Sequence, residues 1–205
     1  MIGTVLVLPS PRALLPPYSR EDPVAELRSA CEQAVAGLED LDVARLVVLA
    51  VPTTPENLRR GVTEPLGHRV ARHLLGSRAF TPELALPWTA AALLDRDGVP
   101  GPHELPPTTL VVLADGSARR HEKAPGHVHP DAVGFDAEVE RALREGDAEA
   151  LARLDLDTAA AVWCEGAPAF RVLGEVARGR TVEAEVSYAD APYGVAWWVA
   201  RWRLA

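Results

Sequence analysis

The chain has 205 residues, 48% of them apolar and 24% charged, and carries a net charge of -8 at neutral pH. That balance belongs to an ordinary globular protein, and the length suits one sizeable domain rather than two. The acidic excess argues against a nucleic-acid backbone or an anionic membrane as the main partner, because both select basic faces.

Residues 2–8, IGTVLVL, read as a buried strand. They run into PSPRALLPPYSREDP, where five prolines forbid regular structure. Asp22-Pro23 predicts an N-cap and a first-turn proline for a helix in which Val24, Leu27, Cys31, Val35 and Leu38 share a face. ARLVVLAV (44–51) is a second buried strand, ended by Pro52. Over 52–108, LGHRVARHLL (66–75) and PWTAAALL (87–94) look helical between Pro-rich connections. TTLVVLA (108–114) is the third buried strand, opening onto the polar loop ADGSARRHEKAPGHVHP (114–130).

Beyond that loop Phe135, Val139, Ala142 and Leu143 line one helix face, and Gly146 supplies its stop. DAEALARL, DTAAAVWCEG and PAFRVLGEVARG (168–179) read as further helices, with Pro168 in the first turn of the last. TVEAEVSY (181–188) alternates as a half-exposed strand, and YGVAWWVARW (193–202) is apolar on both sides, as a central strand is. Strand–helix alternation followed by a closing strand pair predicts an α/β three-layer sandwich, with a mixed central sheet and helices on both faces. A single domain over 1–205 is expected.

Cys31 and Cys164 have no CxxC or metal-ligand spacing, which favours reduced thiols. MIGTVLVLPSP lacks a basic n-region and its apolar run is short for a signal peptide, so a cytoplasmic location is expected. No run approaches the length of a membrane span. G-x-S-x-G, P-loop and G-x-G-x-x-G motifs are missing from the sequence, which leaves acyl hydrolase, NTPase and dinucleotide-binding readings without support.

A charged loop at a strand end is where α/β proteins place chemistry. Here it holds Asp115, Ser117, Arg119, Arg120 and Lys123, the only lysine of the chain. Guanidinium forks bind planar oxyanions bidentately, so this cluster would hold a carboxylate, phosphate or phenolate; the alternative is an Asp115–arginine ion pair that pins the loop. His127 and His129, at i and i+2, point to one side of an extended segment, and His121 would complete a three-imidazole set for zinc, iron or copper. Solubility alone also explains them. His68, His73 and His103 are expected at the surface, and Trp197, Trp198 and Trp202 in core and edge packing. Tyr193, next to Gly194, could line a pocket above the sheet.

DGSARRHEKAPGHVHPDAVGFDAEVERALREGD resembles the D-L-S-H … F-D … L … G-D segment of the class III extradiol ring-cleaving dioxygenases, catalytic B-subunit type, and of the related Memo-like proteins. YADAPYGVAWWVA is similar to the Y-x-A-P-x-G-x-x-x-V-A strand pair that closes those chains. VLPSPRALLPP sits where many relatives carry a histidine–proline stretch. The resemblance is good over 109–203, weak over 1–51 and essentially missing over 52–108. It implies a mononuclear iron(II) site with two histidines, a third ligand that is often a carboxylate, and an acid–base histidine. Carried over by position, the first histidine is Ser10, the second falls at Thr53 or Thr54, the acid–base histidine is Ala118, and the third ligand is Glu165 or Cys164. Hydroxyls are poor ligands for iron(II) against water, so the inherited site looks dismantled.

The expectation is therefore a small-molecule-binding or repurposed relative without ring-cleaving activity, taking an anionic or phenolic ligand. Its pocket would be lined by Ser10, Thr53, Asp115, Ser117, Arg119, Lys123 and Glu165, with no cofactor. The enzyme alternative is a metal-dependent oxygenase or hydrolase using iron(II) or zinc on His121, His127, His129 and Glu165, the metal activating O2 or water. A third reading is a non-catalytic subunit or interaction protein with an exposed apolar patch, as a homo-oligomer or beside a partner subunit.

Overall fold

The computed structural model describes residues 1–16, 22–38, 44–98 and 107–205. Six strands, β1 (Ile2–Leu8), β2 (Arg45–Ala50), β3 (Thr81–Leu84), β4 (Thr108–Leu113), β5 (Val182–Asp190) and β6 (Trp197–Leu204), form one sheet. Its order is β3-β2-β4-β1-β6-β5. The first four of these are mutually parallel, whereas β6 runs antiparallel to both β1 and β5. The mixed sheet between helical layers is the predicted architecture.

Alternation along the buried strands divides the core in two. Leu6, Leu8, Val48, Val111 and Leu113 pack against α1 (Ala25–Ala36) and α3 (Leu66–Leu75). Val5, Val7, Val47, Leu49, Leu110 and Val112 face the other way, toward α4 (Thr89–Gly98), α5 (Ala132–Glu145), α6 (Ala148–Ala152) and α8 (Ala167–Ala177). β4 is buried along its whole length because it lies inside the sheet and under helices on both sides. Trp198 and Trp202 enter the second core and Trp197 the first, as packing residues. The Trp202 indole N–H donates to the Leu143 carbonyl at 2.8 Å, so its polar atom is satisfied.

Cys31 and Cys164 are free and lie in opposite cores, separated by the sheet. Among the described residues no helix is long and apolar enough to cross a membrane.

Four local expectations need correction. Asp22-Pro23 does not cap α1, whose N-cap is Val24. Asp22 instead accepts from the Val24 N–H at 3.1 Å and pairs with Arg28. His68 is buried, with its Nε2 2.9 Å from the Glu83 carbonyl and 3.2 Å from that of Val48, so it ties α3 to β2 and β3. β3 was hidden in a Pro-rich stretch; an edge strand tolerates Pro82 because one side of its ladder needs no donor. α2 (Pro55–Arg59) was also hidden, a short helix with Thr54 as its cap and proline in its first turn. His103 lies outside the described residues.

Candidate functional site

Leu8 of β1 and Ala50 of β2 both stand in register with Leu113 of β4. Three parallel strands therefore end at one level, and the next residues, Ser10, Thr53 and Asp115, meet at the rim of the sheet. The C-terminal edge of parallel strands is the general position for ligand sites in open α/β folds. A cleft of about 180 Å³ opens there. Ser10, Thr53, Asp115 and Glu165 all line it, as expected, and Arg12, Arg69, Glu64, Asn57 and Thr54 join them.

Glycine makes the close approach at this edge possible. A Cβ on Gly67 would come within 2.9 Å of both Ala50 and Leu113, so α3 can lie directly over the ends of β2 and β4 and bring Arg69 to the cleft. On the opposite wall a Cβ on Gly166 would overlap the Asp115 carbonyl oxygen. The Cys164 thiol donates to that same carbonyl at 3.5 Å. Burial pushes the Cys164 thiol well above its ordinary range, which makes it a packing group rather than a nucleophile.

Asp115 is held by Ser10, whose N–H donates to Oδ1 at 3.0 Å and whose hydroxyl donates to Oδ2 at 2.8 Å. Burial raises its carboxyl from 3.8 to about 6; the Ser10 bonds oppose that rise and the Glu165 charge adds to it. Near neutrality it accepts hydrogen bonds from a hydroxyl, and slightly below it donates one. Among the described residues Arg12 and Arg69 have no carboxylate partner, and the buried Thr53 Oγ1 has no hydrogen-bond partner. Glu64, by contrast, is taken by Arg72 at 2.7 Å. The cleft thus offers two arginines without carboxylate partners among the described residues and an aspartate whose carboxyl burial raises to about 6, with the unmatched Thr53 hydroxyl buried in its wall.

The rest of the expected set is elsewhere. Ser117 is buried and gives its N–H and hydroxyl to Asp136 at 2.8 and 2.5 Å, while Arg120 completes Asp136 at 2.8 Å. Arg119 lies over the Trp163 ring, 5.7 Å from its centroid, and donates to the Ala161 carbonyl at 2.8 Å. Lys123 is exposed and outside the cleft. The loop is pinned, but by Asp136 rather than by Asp115.

The loop histidines are not gathered. His127 sits at φ 60, in the left-handed region, so the extended geometry that would align it with His129 is not adopted. Nδ1 of His121 accepts from the Lys123 N–H, Nδ1 of His129 from the Asp131 N–H, and Nδ1 of His127 faces the Glu122 carbonyl. Among the described residues no three His, Cys, Asp or Glu side chains form a group that could hold a metal. Tyr193 lines no part of the cleft; its hydroxyl donates to the Pro23 carbonyl at 2.9 Å and its ring lies beside Trp197.

The cleft does not fit the iron centre that the resemblance implies. Its lining contains no imidazole, and the Ser10 hydroxyl already donates its hydrogen bond to Asp115. With Glu64 taken by Arg72, the two remaining carboxylates, Asp115 and Glu165, and two arginines are a donor set for an organic acid or phenol rather than for iron(II).

Sequence reading found Ser10, Thr53, Asp115 and Glu165 of this cleft but missed Asn57, Glu64, Arg12 and Arg69. Arg12 had a visible signal, since it follows the first strand by a few residues; Arg69 had none, because α3 approaches the edge through a glycine contact that only the packing reveals. No family model matches the chain, and no curated protein matches it either.

Proposed function

We propose that the chain is a divergent relative of the class III extradiol dioxygenase B-subunits that binds a small anionic or phenolic molecule, without iron and without ring cleavage. The observation that carries this reading is the pairing of Arg12 and Arg69, free of carboxylate partners, with Ser10, Thr53 and Asp115 at the ends of three parallel strands. The guanidinium groups hold the anionic oxygens of the ligand. Asp115 and Glu165 accept hydrogen bonds from the ligand's hydroxyl groups, which a phenol or hydroxy acid would supply.

Thermal unfolding with inorganic phosphate, benzoate, phenol and para-hydroxybenzoate tests this. The anions should raise the melting temperature of the native chain, with para-hydroxybenzoate the most effective because it engages both arginines and Asp115. The Arg12→Ala/Arg69→Ala variant should lose that response. A response that the variant retains would place the anion elsewhere.

A further inference from the structure

An apolar groove of about 490 Å³ adjoins the cleft. Leu156, Ala160, Trp163 and Pro168 line it, and Glu165 lines both cavities. Trp163 is 51% exposed and Leu156 41%.

The backbone at Trp163 is unusual for its sequence. α7 (Leu156–Ala161) closes with the Trp163 N–H on the Ala160 carbonyl and the Cys164 N–H on the Ala159 carbonyl, which leaves Trp163 in the left-handed position at φ 58. Glycine ordinarily fills that position, as Gly146 does after α5 at φ 68. A bulky residue there costs about 1 kcal/mol. Its ring is then fixed: Arg119 lies over it, and a Cβ on Gly126 would come within 2.7 Å of the indole. A strained backbone, a braced aromatic ring and an apolar groove together are the features of a ligand clamp.

We infer that this groove holds the apolar tail of a ligand whose anionic head sits between Arg12 and Arg69, which makes the ligand an amphiphilic acid rather than a compact anion. The inference rests on the proposed cleft reading and extends it. Continuity through Glu165 selects the tail of the same molecule over a separate partner, and the groove volume lies in the range of small-molecule sites. Arg119 acts here as a brace for the Trp163 ring, not as an anion ligand.

Isothermal titration of the full chain with butyrate, hexanoate, octanoate and decanoate, below micelle formation, tests the inference. Affinity should climb by roughly fourfold per added methylene once the tail reaches the groove. Trp163→Gly suits the left-handed backbone and removes the groove wall, and Ala160→Glu puts a charge into the groove from an exposed position. Both variants should flatten the length dependence while leaving butyrate binding unchanged. Flat affinity in the native chain with butyrate still bound would overturn the tail and leave the cleft reading standing. A length dependence that persists in both variants would also overturn it, because the tail would lie elsewhere. Binding of no acid at all would overturn both readings. If light scattering finds a dimer that Ala160→Glu splits, the groove is a self-association face and the inference falls.

Discussion

Asp115 and Asp136 are built alike and used differently. Each accepts the backbone N–H of one serine on Oδ1 and the hydroxyl of the same serine on Oδ2, from Ser10 in one case and Ser117 in the other. Asp136 is fully buried and Arg120 completes it. Among the described residues Asp115 has no cation of its own, and it opens on a cleft whose two arginines have no carboxylate partner there either. A closed polar network holds a loop in place, whereas an open one leaves its remaining bonds for a ligand.

The largest expected effect separates the two aspartates by stability. Asp136→Ala leaves two buried Ser117 donors unmatched and the partly exposed Arg120 charge without its partner, and should cost about 3 kcal/mol in urea unfolding. Asp115→Asn, with the same shape, should change stability by less than about 1 kcal/mol at pH 5, where the native carboxyl is largely protonated. Equal losses in the two variants would erase the distinction.

Second in size is the pH dependence. Folded Asp115 holds its proton more tightly than the unfolded chain does, since its carboxyl is raised from 3.8 to about 6. Its contribution to stability is therefore greatest below pH 4, is lost as the pH rises from about 4 to about 6, and stays lost above that, by at most about 3 kcal/mol. Unfolding measured across this window should show a downward slope in the native chain that Asp115→Asn removes.

Gly166→Ala should come next, because its methyl would be driven against the Asp115 backbone. We expect a loss of about 2 kcal/mol together with weaker anion binding, a double effect that a substitution remote from the cleft would not give. Single Arg12→Ala and Arg69→Ala variants should each weaken anion binding by about tenfold with unchanged melting temperature. Lys123→Ala should alter neither, since the ammonium is exposed outside the cleft.

The fold was legible where one period ruled the local sequence. β1, β2 and β4 are continuous apolar runs, and α5 shows its buried face through Phe135, Val139, Ala142 and Leu143 and its end through Gly146. β3 and α2 were not legible, because each is short and begins or continues through a proline that reads as a break. The cleft was half legible. Ser10, Thr53 and Asp115 follow strands whose ends can be counted from the sequence, but their meeting depends on strand order, which places β4 between β1 and β2. Ser117 and Arg119 were misread for a related reason. Asp136 and Trp163, which take them out of the site, come from segments well separated along the chain, and no local pattern announces such contacts.

The most direct test of the open cleft is calorimetric titration of chelator-treated, metal-free protein with para-hydroxybenzoate, beside the Arg12→Ala/Arg69→Ala variant. Saturable binding to the native chain that the variant loses is the predicted result. Binding that appears only after iron(II) is added, or that survives removal of both arginines, would contradict the account.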